Sequence, residues 1–388
     1  MTAFEISDCL VCGDPVEMVL DYGLMPLAGA FYPEGDPRGY EKFPLALMRC
    51  PTCGHMQVSH IVPPEKIFSD YSYRTGTSPG LVEHFRHLAW LISARYPEGL
   101  VVDVGCNDGT LLNALRRFGL PVLGIDPSDI SREASSRDGW PLVSGFLTPE
   151  LAQEAVDLYG PARVVVASNV LAHTPSPRDF VRGLSILCPT GVIILEVHYQ
   201  GLMLSKNQFD VVYHEHVSYF SLKSLRRLLE EVDLEILDFE FINLHGGSIR
   251  VYATRPSTRQ VVKIDPQAED VFQVTRFVET AQRTRRILRE IVGFYEGDVV
   301  AYGASGRGTT LLNWCRLDRS FVSYAVDASP RRQGRVVPGV RIPIYPPTFS
   351  SWPRAILLTA WTHAESIRRA CEGYPNVFIT PCPTVTIS

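Results

Sequence analysis

The densest run of chemically capable side chains is Tyr213-His214-Glu215-His216-Val217-Ser218-Tyr219-Phe220-Ser221. A histidine titrating near neutrality can remove a proton from a carbon beside a carbonyl, and a tyrosine can donate to the oxyanion that develops. Two histidines flank a carboxylate, but the H-E-x-x-H spacing of zinc proteases is absent, so that metal reading fails on geometry. The alternative is a loop of satisfied polar side chains leading into a helix capped by Ser221. A second polar group, Ser168-Asn169-Val170-Leu171-Ala172-His173, directly follows the apolar run Arg163–Ala167. Ligands of open α/β sheets sit outside the carboxyl ends of strands, which places Asn169 and His173 to meet a substrate.

The stretch Val101-Val102-Asp103-Val104-Gly105-Cys106-Asn107-Asp108-Gly109-Thr110-Leu111-Leu112 reads as a strand, an acidic turn and a helix. Asp126 ends the next apolar segment, where a ribose is gripped through its hydroxyls in doubly wound sheets. The turn lacks a full G-x-G-x-x-G. A dinucleotide needs those glycines so that backbone can approach a pyrophosphate, whereas S-adenosylmethionine needs carboxylates and carbonyls for its ammonium, sulfonium and ribose. The residue choice favours S-adenosylmethionine over NAD. A third group is split between His245-Gly246-Gly247-Ser248-Ile249-Arg250 and the turn Gly303–Thr309 with Ser305 and Arg307. Exposed backbone N–H groups and the two arginines together suit a diphosphate.

Of the nine cysteines, four form Cys9-x-x-Cys12 and Cys50-x-x-Cys53. Two such knuckles close a tetrahedral thiolate shell around zinc and leave no position for substrate, so the metal would be structural. Paired redox thiols are the alternative. Cys106, Cys188, Cys315, Cys371 and Cys382 are scattered and read as small core residues.

The elements that must position these groups divide 388 residues into three units. Residues 1–65 form the zinc-binding module and residues 66–255 a central α/β domain, entered by a helix over about 80–94 with Leu81, Phe85, Leu88 and Leu91 near one face. Its strands are Leu100–Val104, Val122–Ile125, Arg163–Ala167, Val192–Glu196 and an antiparallel pair, Glu235–Glu240 and Ser248–Thr254. Residues 256–388 hold a long helix over about 267–295 and a smaller α/β domain with strands Val299–Tyr302, Phe321–Val326, Ala355–Trp361 and Val377–Ile379. The apolar fraction of 45%, charged fraction of 20% and net charge of −5 describe an ordinary globular protein without a generally basic, nucleic-acid-coating surface. No stretch has the pattern of a signal peptide or the length of a membrane span, so the cytoplasm is the expected compartment and no membrane partner is expected.

These motifs, with Tyr73-Arg74-Thr75-Gly76-Thr77-Ser78 and Tyr302-Gly303-Ala304-Ser305-Gly306-Arg307-Gly308, resemble the S-adenosylmethionine-dependent C-methyltransferases that act on nucleotide-linked 4-keto-6-deoxysugars. The resemblance covers nearly the whole chain. It implies a central Rossmann-like class I methyltransferase domain, an N-terminal zinc-binding module, and a C-terminal Rossmann-like domain that shares the nucleotide sugar with the central one. It implies a place in branched-deoxysugar and antibiotic biosynthesis and a dTDP- or GDP-linked substrate. His216 would take the C3 proton, Tyr213 would assist at the C4 oxygen and Glu215 would orient the pair. Tyr73, Asn169, His173 and Glu196 would contact the sugar. Asp103, Gly105, Asn107, Asp108 and Asp126 would hold S-adenosylmethionine, with Phe146 beside the adenine. Arg307 stands where a lysine is common in the family, which keeps the charge but changes the geometry.

Two other readings compete. The turn Gly303–Gly308, followed by Asp327 at the end of the next strand, is compatible with an added NADPH-dependent ketoreductase. A zinc-knuckle nucleic-acid methyltransferase is opposed by the acidic balance and by the lack of a basic stripe with interleaved aromatics. Whether His216 or Glu215 is the base, and whether the protein is a monomer or homodimer, stay open in the sequence.

Overall fold

The computed structural model describes residues 3–63, 66–67, 74–244, 246–256, 271–348, 353–372 and 377–388. Tyr73 and His245 lie outside them, as do residues 267–270 of the expected long helix. The N-terminal module contains β1 (Phe4–Glu5), β2 (Glu17–Met25), β3 (Phe43–Arg49), β4 (Met56–Val58) and β5 (His60–Ile61). β2, β3 and β4 run antiparallel in that order, and β1 pairs with β5.

The central domain follows with β6 (Val101–Val104), β7 (Val122–Ile125), β8 (Leu142–Val143), β9 (Val164–Ser168), β10 (Val192–His198), β11 (Ser218–Tyr219), β12 (Glu235–Ile242) and β13 (Ser248–Thr254). Seven of these form one sheet in the order β12-β13-β10-β9-β6-β7-β8. β6 to β10 are parallel, and β13 and β12 add antiparallel at one edge. β6 and β7 are buried throughout because helices cover both faces, and every residue of the two except Asp103 is apolar or small. The helix Pro79–Arg95 buries Leu81, Phe85, Leu88, Ala89 and Ile92, at the spacing that keeps one face on the sheet. The strand order reverses between β6 and β9, which opens a crevice at their carboxyl ends.

The small strand β11 leaves this sheet and completes the N-terminal one, pairing Ser218 with Gln57 and Tyr219 with Met56. After the helix Val271–Phe294, the C-terminal domain contributes β14 (Val299–Tyr302), β15 (Tyr324–Val326), β16 (Ile344–Tyr345), β17 (Ala355–Leu357), β18 (Val377–Thr380) and β19 (Thr386–Ile387), ordered β16-β15-β14-β17-β18-β19. All neighbours are parallel except β19, and the reversal falls between β14 and β17. The expected strand Ala355–Trp361 stops at Leu357 and turns into a short 3-10 helix at Trp361–His363.

The three units are interlocked. One apolar core joins Leu20, Tyr22 and Leu47 of the N-terminal sheet to Phe209 and Val211 and to Trp314 and Leu317 of the C-terminal domain. A second packs Cys9, Val11, Cys50 and Cys53 with Phe220 and Leu222 of the central domain. The run 213–216 sits where those units meet.

Candidate active site

Between β10 and β11 the chain forms the helix Gln200–Ser205 and a tight turn, Phe209–Val211, before reaching Tyr213. His216 Nδ1 lies 2.9 Å from the carbonyl oxygen of Val211. A carbonyl only accepts, so Nδ1 carries the proton and Nε2 is the basic nitrogen. The Tyr213 hydroxyl donates to that nitrogen at 3.0 Å, with the two ring centroids 4.1 Å apart. His173 stands beside them, 5.1 Å from His216 between ring centroids, and its Nδ1–H donates to the Glu215 carbonyl at 2.6 Å. Burial holds His173 below the ordinary histidine range, against a smaller opposing effect of that carbonyl.

Glu215 reaches the N-terminal module, where its Oε1 accepts the Gly29 N–H at 2.9 Å, and burial pushes its carboxyl up. A Cβ at position 29 would stand 3.2 Å from that oxygen, and one at Gly306 would stand 3.6 Å from the Tyr213 ring. The catalytic candidates therefore touch all three units. His214 turns away: it is fully buried, its Nε2–H donates to the Pro44 carbonyl at 3.2 Å, and burial pulls it down to about 4. Of the two histidines flanking Glu215, only His216 faces the junction with Tyr213 and His173.

The cofactor turn is built as an acidic cradle. Gly105 has φ +75°, and a side chain there would overlap Val170 of the loop after β9. Asp126 accepts the Asn107 N–H at 2.9 Å and the Ser128 N–H at 2.8 Å. Asn107 and Asp108 in turn accept the N–H groups of Thr75 (3.0 Å) and Gly76 (2.8 Å), so the segment before the helix Pro79–Arg95 docks on the turn. Asp103 is buried, and burial together with Asp126, Glu196 and Asp108 raises its pKa well above the carboxylate range. Asp103, Asp108 and Asp126 lie together at this turn, and such a cluster suits a cationic ligand, which fits the ammonium and sulfonium of S-adenosylmethionine. Phe146, 56% exposed, follows Gly145, whose N–H donates to the Asp126 carbonyl at 3.3 Å.

Asn169, with φ +56°, donates its N–H to the Glu196 carbonyl at 2.8 Å at the mouth of the crevice. The side chains of Glu196 and Arg250, expected at the sugar and the phosphate, are engaged with one another in this structure. Arg250 and Glu196, each with 1% of its side chain exposed, are joined Nε to Oε1 at 2.6 Å. His84 bonds both Glu196 oxygens at 3.0 Å, Ser168 donates to Oε2 at 2.8 Å, and Arg250 Nη1 also reaches Glu240 at 2.8 Å. A register pairing Glu196 with Arg250 across β10 and β13 turns both into an internal network and spends their hydrogen bonds there. Ser248 is likewise buried and donates to the Leu244 carbonyl at 3.2 Å, which shapes the glycine turn.

The two glycine turns do meet. A Cβ on Gly246 would lie 2.9 Å from Arg307 Nη1, and Lys206 and Gln208 both donate to the Gly246 carbonyl, at 3.3 and 2.8 Å. Arg307 is held by Asp210 and stacks 4.7 Å over the Trp361 ring. Ser305 caps its helix, accepting the Gly308 N–H at 3.3 Å. Asp327 accepts the Ala304 and Ser329 N–H groups at 2.8 Å each, the layout that Asp126 has with Asn107 and Ser128.

The sulfurs of Cys9, Cys12, Cys50 and Cys53 lie within 4.8 Å of one another, with Cys9 to Cys53 at 3.5 Å and Cys12 to Cys50 at 3.4 Å. A tetrahedron with zinc–sulfur bonds of about 2.3 Å has edges of about 3.8 Å, so the four fit a structural zinc. Sequence reasoning passed over His84, Asp210 and Gly29. The first two carried a signal, a histidine on the apolar face of a helix and an acid inside the run Phe209–Val212. Gly29 carried none beyond its small-residue neighbours Ala28 and Ala30.

Three family models match successive stretches: "Putative zinc binding domain" over residues 9–68, "Methyltransferase domain" over 81–238 and "C-methyltransferase C-terminal domain" over 243–383. The chain is similar to C-methyltransferase NovU of Streptomyces niveus, with 34% identity across 97% of this chain and 96% of that protein. It is also similar to the ubiquinone biosynthesis O-methyltransferase of Burkholderia multivorans, at 27% identity over 41% of this chain and 74% of that one. Among solved structures, the Burkholderia thailandensis 1,6-didemethyltoxoflavin-N1-methyltransferase is 18% identical with a TM-score of 0.40, covering 55% of this chain and 96% of its own.

Proposed function

The chain belongs to the family of C-methyltransferases, and from that premise we propose that it methylates C3 of a nucleotide-linked 4-keto-deoxysugar, dTDP- or GDP-linked, at the junction around His216. The observation that carries the reading is the His216–Tyr213 pair, a histidine with its tautomer set by Val211 and its basic nitrogen 3.0 Å from a phenol. A C4 carbonyl acidifies the neighbouring C3–H. With the Tyr213 hydroxyl turned from Nε2 to the C4 oxygen on which the charge collects, the freed His216 Nε2 takes that proton and becomes imidazolium. Asp103, Gly105, Asn107, Asp108 and Asp126, with Phe146 alongside, would hold S-adenosylmethionine, whose sulfonium methyl would pass to the C3 carbon of the enolate with S-adenosylhomocysteine as leaving group. Glu215, its carboxyl pushed up by burial and its Oε1 anchored on the Gly29 N–H, holds the pair in place while His216 acts as base. Asn169 and His173, with Tyr73, meet the sugar, and Ser305, Arg307 and His245 meet the diphosphate. Cys9, Cys12, Cys50 and Cys53 hold zinc.

Asp327 supports placing the nucleotide on the C-terminal domain, because it repeats the hydrogen-bond layout of Asp126. The same feature favours a second reading, an added NADPH-dependent ketone reduction, for which NADPH fluorescence on mixing is the test. The main reading is tested by incubating the protein with S-adenosylmethionine and a panel of dTDP- and GDP-4-keto-6-deoxysugars. Mass spectrometry should find one added methyl on the sugar, and no methylated product with any member would overturn it.

A further inference from the structure

We infer that Asp210 is a positioning residue that ties recognition of the substrate's diphosphate to the catalytic base, an inference resting on the nucleotide-sugar reading above. Asp210 is fully buried in the middle of the turn Phe209–Val211. Its Oδ2 accepts Arg307 Nε at 2.9 Å and Trp361 Nε1 at 2.7 Å, and its Oδ1 accepts Arg307 Nη2 at 2.8 Å. Arg307 lies in the first turn of the helix Gly306–Trp314 after β14 and Trp361 in the 3-10 turn after β17, the strands that flank the reversal of the C-terminal sheet, where open α/β sheets receive their ligands. Because Asp210 takes the Nε–Nη2 edge, the rest of the guanidinium is directed toward Gly246 of the central domain. A bidentate pair of this kind fixes the plane as well as the position of the arginine.

The next residue acts on the other side. The Val211 carbonyl accepts the His216 Nδ1–H at 2.9 Å and the Tyr219 hydroxyl at 3.3 Å. One three-residue turn thus grips the phosphate-facing arginine with a side chain and the base with a backbone oxygen. When a diphosphate draws on Arg307, the bidentate pair passes the displacement to Asp210 and through one peptide unit to the carbonyl that sets the tautomer and aim of His216. A substrate carrying its diphosphate would therefore meet a better-set base than a bare sugar.

The full-length protein, with its histidines 15N-labelled, is titrated with dTDP, GDP and inorganic pyrophosphate by calorimetry and by NMR of the His216 ring nitrogens. The wild type should bind a nucleoside diphosphate and show shifted His216 resonances. Asp210→Asn should lose about tenfold or more in affinity, the scale of a charge-assisted hydrogen bond, and its His216 resonances should stop responding. Trp361→Phe, which removes only the indole N–H and keeps the ring, should fall between the two. Unchanged affinity in Asp210→Asn, or weakened affinity with His216 still responding at saturation, would overturn the coupling while leaving the nucleotide-sugar reading intact. A wild type that binds none of the three probes would overturn both, and it would do so before any variant is compared.

Discussion

Replacing Arg250 with methionine separates the internal network from a phosphate-binding role. Arg250 and Glu196 each expose 1% of their side chains, and their closest approach is 2.6 Å. Removing one partner of a buried pair leaves the other charged and desolvated, at a cost of about 3–5 kcal/mol. The same change in the exposed pair of Arg86 and Glu83 would cost less than about 1 kcal/mol. The pH dependence carries a second signature. Burial pushes the Glu196 carboxyl up, but His84, Arg250 and Ser168 outweigh it and hold the group below its usual range. In the wild type its contribution is present above the unfolded carboxylate pKa of about 4.3 and is lost as pH falls through the lower folded value. Without Arg250 one of the groups that holds the carboxyl down is lost while His84 and Ser168 remain, so the folded pKa moves up and the stability that ionised Glu196 contributes above the carboxylate range shrinks. The gap between the two proteins should be widest near neutrality and narrow below about pH 5. Urea unfolding at several pH values measures the gap, and calorimetry with dTDP measures any direct role. An unchanged urea midpoint with weakened dTDP binding would refute the argument and return Arg250 to the phosphate.

Three other outcomes are expected. His216→Asn should lower methyl transfer by about 10²–10⁴-fold, the usual worth of a positioned base, with S-adenosylmethionine affinity measured by calorimetry unchanged. The purified protein should contain about one zinc per chain by metal analysis, and Cys50→Ser should lose the metal and lower the melting temperature, because the four cysteines share a core with Phe220 and Leu222. His214, held down to about 4 by burial, binds its proton more readily when unfolded, so acidification from about pH 6.5 to 4 should remove roughly 3 kcal/mol of stability that His214→Asn does not lose.

Much of the central domain was legible in the sequence because its strands are buried on both faces and read as largely apolar runs, as in Val122–Ile125 and Val164–Val166. The run 213–216 was legible because so many proton-handling groups fall together. The pairing of Arg250 with Glu196 was hidden because the two lie 54 residues apart and only strand register brings them face to face. The interlocking of the units was hidden for the same reason: the Tyr22 hydroxyl donates to the Phe209 carbonyl across 187 residues, at 2.8 Å. β11, two residues long, joins a sheet begun in the N-terminal module, which no local periodicity could announce. Which of Glu215 and His216 is the base was not legible in the sequence because it depends on surroundings set by distant segments: Glu215 Oε1 accepts the Gly29 N–H, and His216 Nε2 faces the Tyr213 hydroxyl.

The most direct test of the account is solvent-deuterium exchange at C3 of a dTDP-4-keto-6-deoxysugar, followed by NMR in D2O without S-adenosylmethionine. Proton removal by His216 predicts enzyme-dependent exchange at C3 that disappears in His216→Asn and persists in Glu215→Gln. Exchange that survives in His216→Asn, or that is lost only with Glu215, would contradict the assignment of the base on which the proposed reaction depends.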